Sequence, residues 1–439
     1  MRIFKDRESA VRSYCRTWPK VFDRAVGSWL YDEDGRAYLD FFTGAGALNY
    51  GHNNPVIKRA LLDYLAGDRV IHSLDMFTVA KGQFLTAFNE LILQPRQLNY
   101  RIQFPGPGGT NAVEAALKLA RKATGRTEMI AFNGAFHGMT LGALAVTSSR
   151  FHRDGAGIPL PHVTLVPFGC DLDGGEPGSA GIEHLLQDSH AGPDEIAAVI
   201  VETVQGEGGI NAAPLKWLSE LAGLCRRHGI LLIVDDVQMG CGRTGPFFSF
   251  EAAGIKPDIV CLSKSISGYG LPLALTLIRP DLDIWKPGEH SGTFRGFNPA
   301  FVTGTAALHV YWRDKALEHG TLAKGQRIAA ALSALARSVP GNPMQSRGRG
   351  LAHGLAFERA ELGGKVSAAA FERGLLVETA GSQGEVIKLL PPLTASDTEI
   401  DQGLALLADA VQTVLRKPTR GARTMTPATA HGLAARGIP

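Results

Sequence analysis

Residues 230–238 read Ile-Leu-Leu-Ile-Val-Asp-Asp-Val-Gln, an unbroken apolar run closed by two carboxylates. A run this short, with nothing polar to alternate against, suits a strand buried on both faces, as strands of parallel sheets are. Four more blocks share its character: Met129 to Phe132, Ile196 to Val201, Asp258 to Leu262 and Leu273 to Ile278. Amphipathic helical stretches separate several of them. The alternation predicts an α/β fold with a mainly parallel central sheet and helices on both faces. Acidic residues at the carboxyl end of such a strand, here Asp235 and Asp236, sit where open α/β sheets bind ligands. A helix cap or a loop carboxylate would read the same way.

The chain has 439 residues, which at roughly 150 per domain allows two or three units. Lys+Arg 45 against Asp+Glu 42 leaves a net charge of +3, too balanced for a dedicated nucleic-acid or membrane-surface protein. No apolar run nears the roughly 18 residues of a membrane span, and Met1 to Glu8 carries no export stretch, so a cytoplasmic protein is expected. Five cysteines (Cys15, Cys170, Cys225, Cys241, Cys261) are odd in number, scattered and without CxxC spacing; they read as buried or incidental thiols. The 13 histidines show no HExxH pattern, so no catalytic metal is expected.

Organisation follows from periodicity. Residues 61–310 hold the strand blocks and are expected to form a large domain, with 1–60 packing against a smaller α+β domain at 311–416. Helical stretches there include Leu322 to Val339 and Glu399 to Arg416. Residues 417–439, rich in Pro, Thr, Ala, Gly and Arg without period, read as a mobile tail.

Chemistry concentrates at three places. The turn Gly108-Gly109-Thr110-Asn111 opens onto a helix whose Val113, Ala116, Leu117 and Ala120 share one face. Free N–H groups there could cradle a phosphate, or the turn could be plain. Asp235 ends one strand. Lys264 follows another, an unusual position for so hydrated a group, and either an activated amine or a lysine at a strand end. Asp235 and Lys264 are 29 residues apart, close to one βαβ repeat of about 30, so both could emerge at the same edge of neighbouring strands. A lysine amine, an acid for a ring nitrogen and a phosphate cradle are together what pyridoxal phosphate requires.

Longer motifs carry a resemblance. Gly-Thr-Asn-Ala-Val-Glu-Ala-Ala at 109–116, Phe136-His137-Gly138, Glu-Thr-Val-Gln-Gly-Glu-Gly-Gly at 202–209, Asp235-Asp236-Val237-Gln238, Gly242-Arg243-Thr244-Gly245, Ser263-Lys264 and Gly292-Thr293-Phe294-Arg295-Gly296 stand in order along the chain. Over roughly residues 20 to 415 the sequence resembles the class III (ω-amino acid) aminotransferases of the fold-type-I pyridoxal-phosphate enzymes. Residues 44–55, 265–272 and 293–298 are similar to the diaminobutyrate–2-oxoglutarate transaminase subgroup of the ectoine-pathway type.

The resemblance implies roles. Lys264 would bond the cofactor aldehyde and shuttle the substrate proton; Asp235 would keep the ring nitrogen protonated; Gln238 would meet the ring hydroxyl. Val237 and Phe136 would flank the ring, with His137 beside them. Gly109 and Thr110 would cradle the phosphate, and Gly292 and Thr293 would reach it from a partner subunit, so a homodimer or larger homo-oligomer with shared sites is expected. Tyr50, Glu207 and Lys388 are the candidate substrate contacts, and Arg243 a structural residue of the loop after the Asp235 strand. Two positions depart from the common pattern: Asp236 where Glu is usual, and Lys388 where many relatives carry the arginine that grips a substrate carboxylate. The subgroup shares that lysine. A lysine offers a point charge where arginine offers a bidentate fork. The implied reaction converts L-aspartate 4-semialdehyde and L-glutamate into L-2,4-diaminobutyrate and 2-oxoglutarate. Ornithine, acetylornithine, 4-aminobutyrate or lysine as donor is the second reading, and a non-catalytic cofactor-binding protein the third.

Overall fold

The structure is a computed structural model describing residues 2–169, 195–339, 341 and 343–415. Cys170 and the expected tail at 417–439 lie outside these residues.

A seven-stranded sheet forms the centre. Its spatial order is Arg101–Gln103, Leu275–Ile278, Ile259–Leu262, Leu231–Asp235, Ile196–Val201, Glu128–Phe132 and Val163–Val166. The last five run parallel to one another. Successive side chains of a strand face opposite ways, and both faces are covered here. Val199, Val201, Leu232, Val234, Val260 and Leu262 join one apolar cluster, while Ala198, Ile200, Leu231, Ile233, Ile259 and Cys261 join another on the opposite face. That double burial is why these runs show no polar alternation.

All five apolar blocks became strands, but Leu275–Ile278 runs antiparallel to Ile259–Leu262. A parallel return needs a crossover of a dozen or more residues, usually a helix. The link between these two strands, a 3₁₀ turn at Lys264–Ser267 and a Gly- and Pro-containing loop, brings the chain back along the opposite direction.

The helix predicted after the glycine turn spans Gly109–Thr124. Its start is fixed by Asn111, whose Oδ1 accepts from Gly108 N at 3.0 Å, and its end by Gly125 at φ 70°. Val113, Ala116, Leu117 and Ala120 are buried against the sheet, as the spacing required.

A second, antiparallel sheet orders Met344–Arg349, Ala352–Phe357, Val386–Leu389 and Glu378–Ala380. Helices Ala316–Ser338, Glu361–Glu372 and Asp397–Leu415 pack against it through Ile328, Leu332, Val366, Ile400 and Leu407. Near the N-terminus, Phe22–Val26, Trp29–Asp32 and Ala37–Asp40 form a meander that Leu375–Leu376 extends in parallel, and Leu39 and Phe41 enter the same core as this second sheet. Arg243 is fully buried and ties these parts together. It donates to Leu351 O at 3.1 Å, Pro391 O at 2.5 Å and Asn49 Oδ1 at 2.6 Å. Burial lowers its pKa to about 9.

Candidate active site

Parallel pairing in register, Asp235 opposite Cys261, brings the ends of two neighbouring strands to one edge. Asp235 closes its strand there, and Lys264 begins the turn three residues past Cys261. Two contacts fix the Asp235 carboxylate: His137 Nδ1 lies 2.7 Å from Oδ2, and Val237 N donates to Oδ1 at 3.1 Å. Burial alone would lower the His137 pKa, but the hydrogen bond and charge of Asp235 outweigh it and raise it. The imidazole is thereby held as a donor to the carboxylate.

Lys264 sits at φ 53°, a left-handed backbone conformation that costs a non-glycine residue about 1–3 kcal/mol. Surrounding turns impose it: Ile266 N bonds back to Ser263 O, and Gly268 N to Ser265 O. Its Nζ makes no hydrogen bond or ion pair among the described residues. Burial lowers its pKa and Lys388 adds to that, against the opposing charges of Glu207 and Asp235. More of the amine is therefore unprotonated and nucleophilic than in an ordinary lysine.

Both residues line a cavity of about 300 Å³ together with Gly109, Thr110, Phe136, His137, Gly138, Met139, Glu202, Glu207, Val237 and Gln238. Its features fit pyridoxal phosphate. Gln238 Oε1 is buried without a partner, while its Nε2 is already committed to Ala45 O at 3.0 Å and Glu207 Oε1 at 3.1 Å; one acceptor is left for a ring hydroxyl. The Gly109–Thr124 helix points its N-terminus at the cavity, where backbone N–H groups suit a phosphate. Glycine is required at 109 because a Cβ there would stand 2.8 Å from Val237 Cγ1. Glu202 accepts from Phe136 N at 3.1 Å and Gly206 N at 3.3 Å, pinning the loops that carry Phe136 and Glu207; burial and Asp235 raise its pKa to about 7.

The remaining candidates lie elsewhere. Tyr50 is buried outside the cavity wall, its hydroxyl accepting from Trp312 Nε1 at 2.9 Å and its ring stacked on Tyr311. Gly292 and Thr293 are also absent from this chain's cavity lining; Thr293 is exposed, with its carbonyl 2.6 Å from His72 Nε2. Lys388 is wholly buried behind Glu207, 2.6 Å from Glu207 Oε1 and 2.9 Å from Glu378 Oε1. The two carboxylates raise its pKa despite burial, and its charge drives Glu207 down to about 2 against that carboxyl's own desolvation.

Sequence reading assigned no role to Glu378, and left Glu202 without one. A signal for the first existed. Residues 378–388 form a hairpin interrupted by Gly381 and Gly384, whose register sets Glu378 directly opposite Lys388.

A buried amine and a carboxylate on adjacent strand tips, under a helix N-terminus in a mainly parallel sheet, define a fold-type-I pyridoxal-phosphate enzyme. The family profile "Aminotransferase class-III" matches residues 13–411. The chain belongs to that family and is a pyridoxal-phosphate-dependent aminotransferase. It is 60% identical to a diaminobutyrate–2-oxoglutarate transaminase of Nocardia farcinica over 94% of each chain. It is 52% identical to one of Halalkalibacterium halodurans, over 94% of this chain and 97% of that one. Among solved structures, the ornithine aminotransferase of Toxoplasma gondii superposes with a TM-score of 0.82 at 26% identity, covering 94% of both chains.

Proposed function

We propose that the protein moves an amino group between L-glutamate and L-aspartate 4-semialdehyde, giving L-2,4-diaminobutyrate and 2-oxoglutarate. The observation that carries this is near-full-length identity of 52–60% to proteins named for that activity. The cavity chemistry is compatible with it.

Bound pyridoxal phosphate supplies an electron sink for the pair left behind when a proton leaves the substrate carbon. Lys264 would hold the cofactor through its aldehyde carbon and, as a free amine, would take the substrate proton and deliver it to the carbon on the other side of the transferred nitrogen. Its depressed pKa suits it to both tasks. Asp235, held by His137 and Val237 N, keeps a positive charge on the ring nitrogen. Gln238 Oε1 would accept from the ring hydroxyl, Phe136 and Val237 would flank the ring, and the N–H groups of Gly109 and Thr110 would hold the phosphate.

Gly292 and Thr293 are assigned to the phosphate of a partner subunit's site, which makes the working unit at least a homodimer. The same reading divides the chain into residues 1–60 with 311–416, and 61–310. The buried free thiols Cys225, Cys241 and Cys261 fit a reducing compartment, so the proposed location is the cytoplasm.

Steady-state kinetics of the reconstituted enzyme with a panel of donors tests the substrate. Among them, kcat/KM should be highest for 2,4-diaminobutyrate, with 2-oxoglutarate as acceptor. A wide lead for ornithine or 4-aminobutyrate would overturn the assignment.

A further inference from the structure

Glu378 lies outside every role considered so far, yet it is 5% exposed and belongs to a buried charged cluster behind the site. Its strand, Glu378–Ala380, pairs antiparallel with Val386–Leu389, and Glu378 stands directly across from Lys388. Residues paired this way project from the same face of the sheet, so the two side chains meet by construction. The Lys388 ammonium is therefore shared between Glu378 Oε1 at 2.9 Å and Glu207 Oε1 at 2.6 Å.

With all three ionised, the cluster holds one ammonium and two carboxylates, a net charge of one negative; burial and Glu207 raise the Glu378 pKa, and the Lys388 ammonium opposes them. Of the three, Glu207 is the one that lines the cavity; Lys388 is wholly buried. The contacts to Glu207 from Lys388 and Gln238 both fall on Oε1, and Oε2 receives none among the described residues. The surplus charge is therefore expressed at the cavity wall, through an oxygen with no partner. The Tyr14 hydroxyl, from the helix Tyr14–Thr17, lies within reach of the cluster's charge: burial, together with Glu378 and Glu207, raises its pKa. Without Glu378, a lone Lys388–Glu207 pair would be neutral. Turning Glu207 toward a ligand would then strand a buried ammonium, a strongly unfavourable state.

We propose that Glu378 is a specificity-determining positioning residue: by supplying Lys388 with a second counter-ion, it leaves Glu207 free to receive the second, non-reacting ammonium of a diamino-acid substrate. The inference rests on the diaminobutyrate reading. It also accounts for a lysine at 388, because a cation already neutralised by Glu378 acts as a fixed charge of the wall and not as a grip for substrate carboxylate.

A pair of donors isolates the effect, since 2,4-diaminobutyrate is 4-aminobutyrate with one ammonium added. The ratio of their kcat/KM values is measured in wild type, Glu378→Gln, Glu378→Asp and the double variant Glu378→Gln/Lys388→Gln, with thermal midpoints recorded alongside. Glu378→Gln should lower the ratio by at least about tenfold, through KM for the diamine, while 4-aminobutyrate changes little. Glu378→Asp, which keeps the charge, should hold the ratio near wild type. The double variant, in which Glu207 has no lysine to satisfy, should restore it even if the single Gln variant folds poorly; a purely structural role predicts no such recovery. An unchanged ratio in Glu378→Gln, or a double variant that stays unselective, overturns the inference alone. A wild-type enzyme that already prefers 4-aminobutyrate overturns the functional reading and this inference with it.

Discussion

Gly109→Ala is the substitution whose consequence the geometry specifies most fully. The new Cβ would lie 2.8 Å from Val237 Cγ1, 3.2 Å from Cγ2 and 3.6 Å from Ser263 Cβ. Alanine's advantage over glycine inside a helix is at most about 1 kcal/mol and shrinks at the first residue, whereas overpacking costs about 1–3 kcal/mol. The clash therefore prevails. It can be relieved only by moving the helix N-terminus or Val237, and both line the cavity. Cofactor affinity should fall by about 5- to 150-fold, the range that energy spans. The assay is titration of the apoprotein with pyridoxal phosphate, followed by visible absorbance, with far-UV circular dichroism to confirm folding. Val237→Ala removes both methyls that collide. In the double variant the losses should be less than additive, with a coupling of about 1 kcal/mol or more. Unimpaired binding by Gly109→Ala, or full additivity with Val237→Ala, would refute the close packing of helix start on strand end.

Two further outcomes follow from the buried acids. Asp235→Asn keeps the shape and removes the charge opposite the ring nitrogen, so kcat should fall by about 10- to 150-fold, the scale of one charge-assisted hydrogen bond; stopped-flow half-reactions that stay at wild-type speed would contradict its role. Asp236 accepts from Ser249 N at 3.0 Å, but its Oδ1 is buried without a partner, and burial raises its pKa from 3.8 to about 7. The folded protein thus prefers the protonated acid. Its stabilising contribution is complete below pH 3.8 and is lost as pH rises toward about 7. Asp236→Asn should accordingly gain stability over wild type between pH 5 and pH 8 by up to a few kcal/mol, read from denaturant midpoints; a difference independent of pH would contradict the burial.

Much of this was legible because its physical cause is local. Strands buried on both faces must be apolar throughout, so Ile196–Val201 and Leu231–Asp235 announced themselves, and the helix starting at Gly109 did so through its spaced alanines and Val113. Lys264 and Asp235 could be paired because a separation of 29 residues suits neighbouring parallel strands, although the link between those strands carries a 3₁₀ turn at Glu251–Ala253 where a βαβ unit would carry an α-helix. What escaped depends on tertiary register. The antiparallel course of Leu275–Ile278 depends on the path of the loop that precedes it, which an apolar run does not record. His137 meets Asp235 across 98 residues. Glu378 was missed although a hairpin places it opposite Lys388, because a single carboxylate in a short strand reads as solvated until its partner is known. Tyr50, singled out from a motif, turned out to spend its hydroxyl on Trp312.

Catalysis requires the Lys264 amine to reach the cofactor's aldehyde beside Asp235. Borohydride reduction of the cofactor-loaded enzyme, followed by proteolysis and peptide mass spectrometry, reads that bond directly. The mass of a reduced pyridoxyl phosphate should appear on Lys264 of the wild type, and Lys264→Ala should lose both the label and transaminase turnover. A label on any other lysine, or a Lys264→Ala enzyme that retains activity, would contradict it.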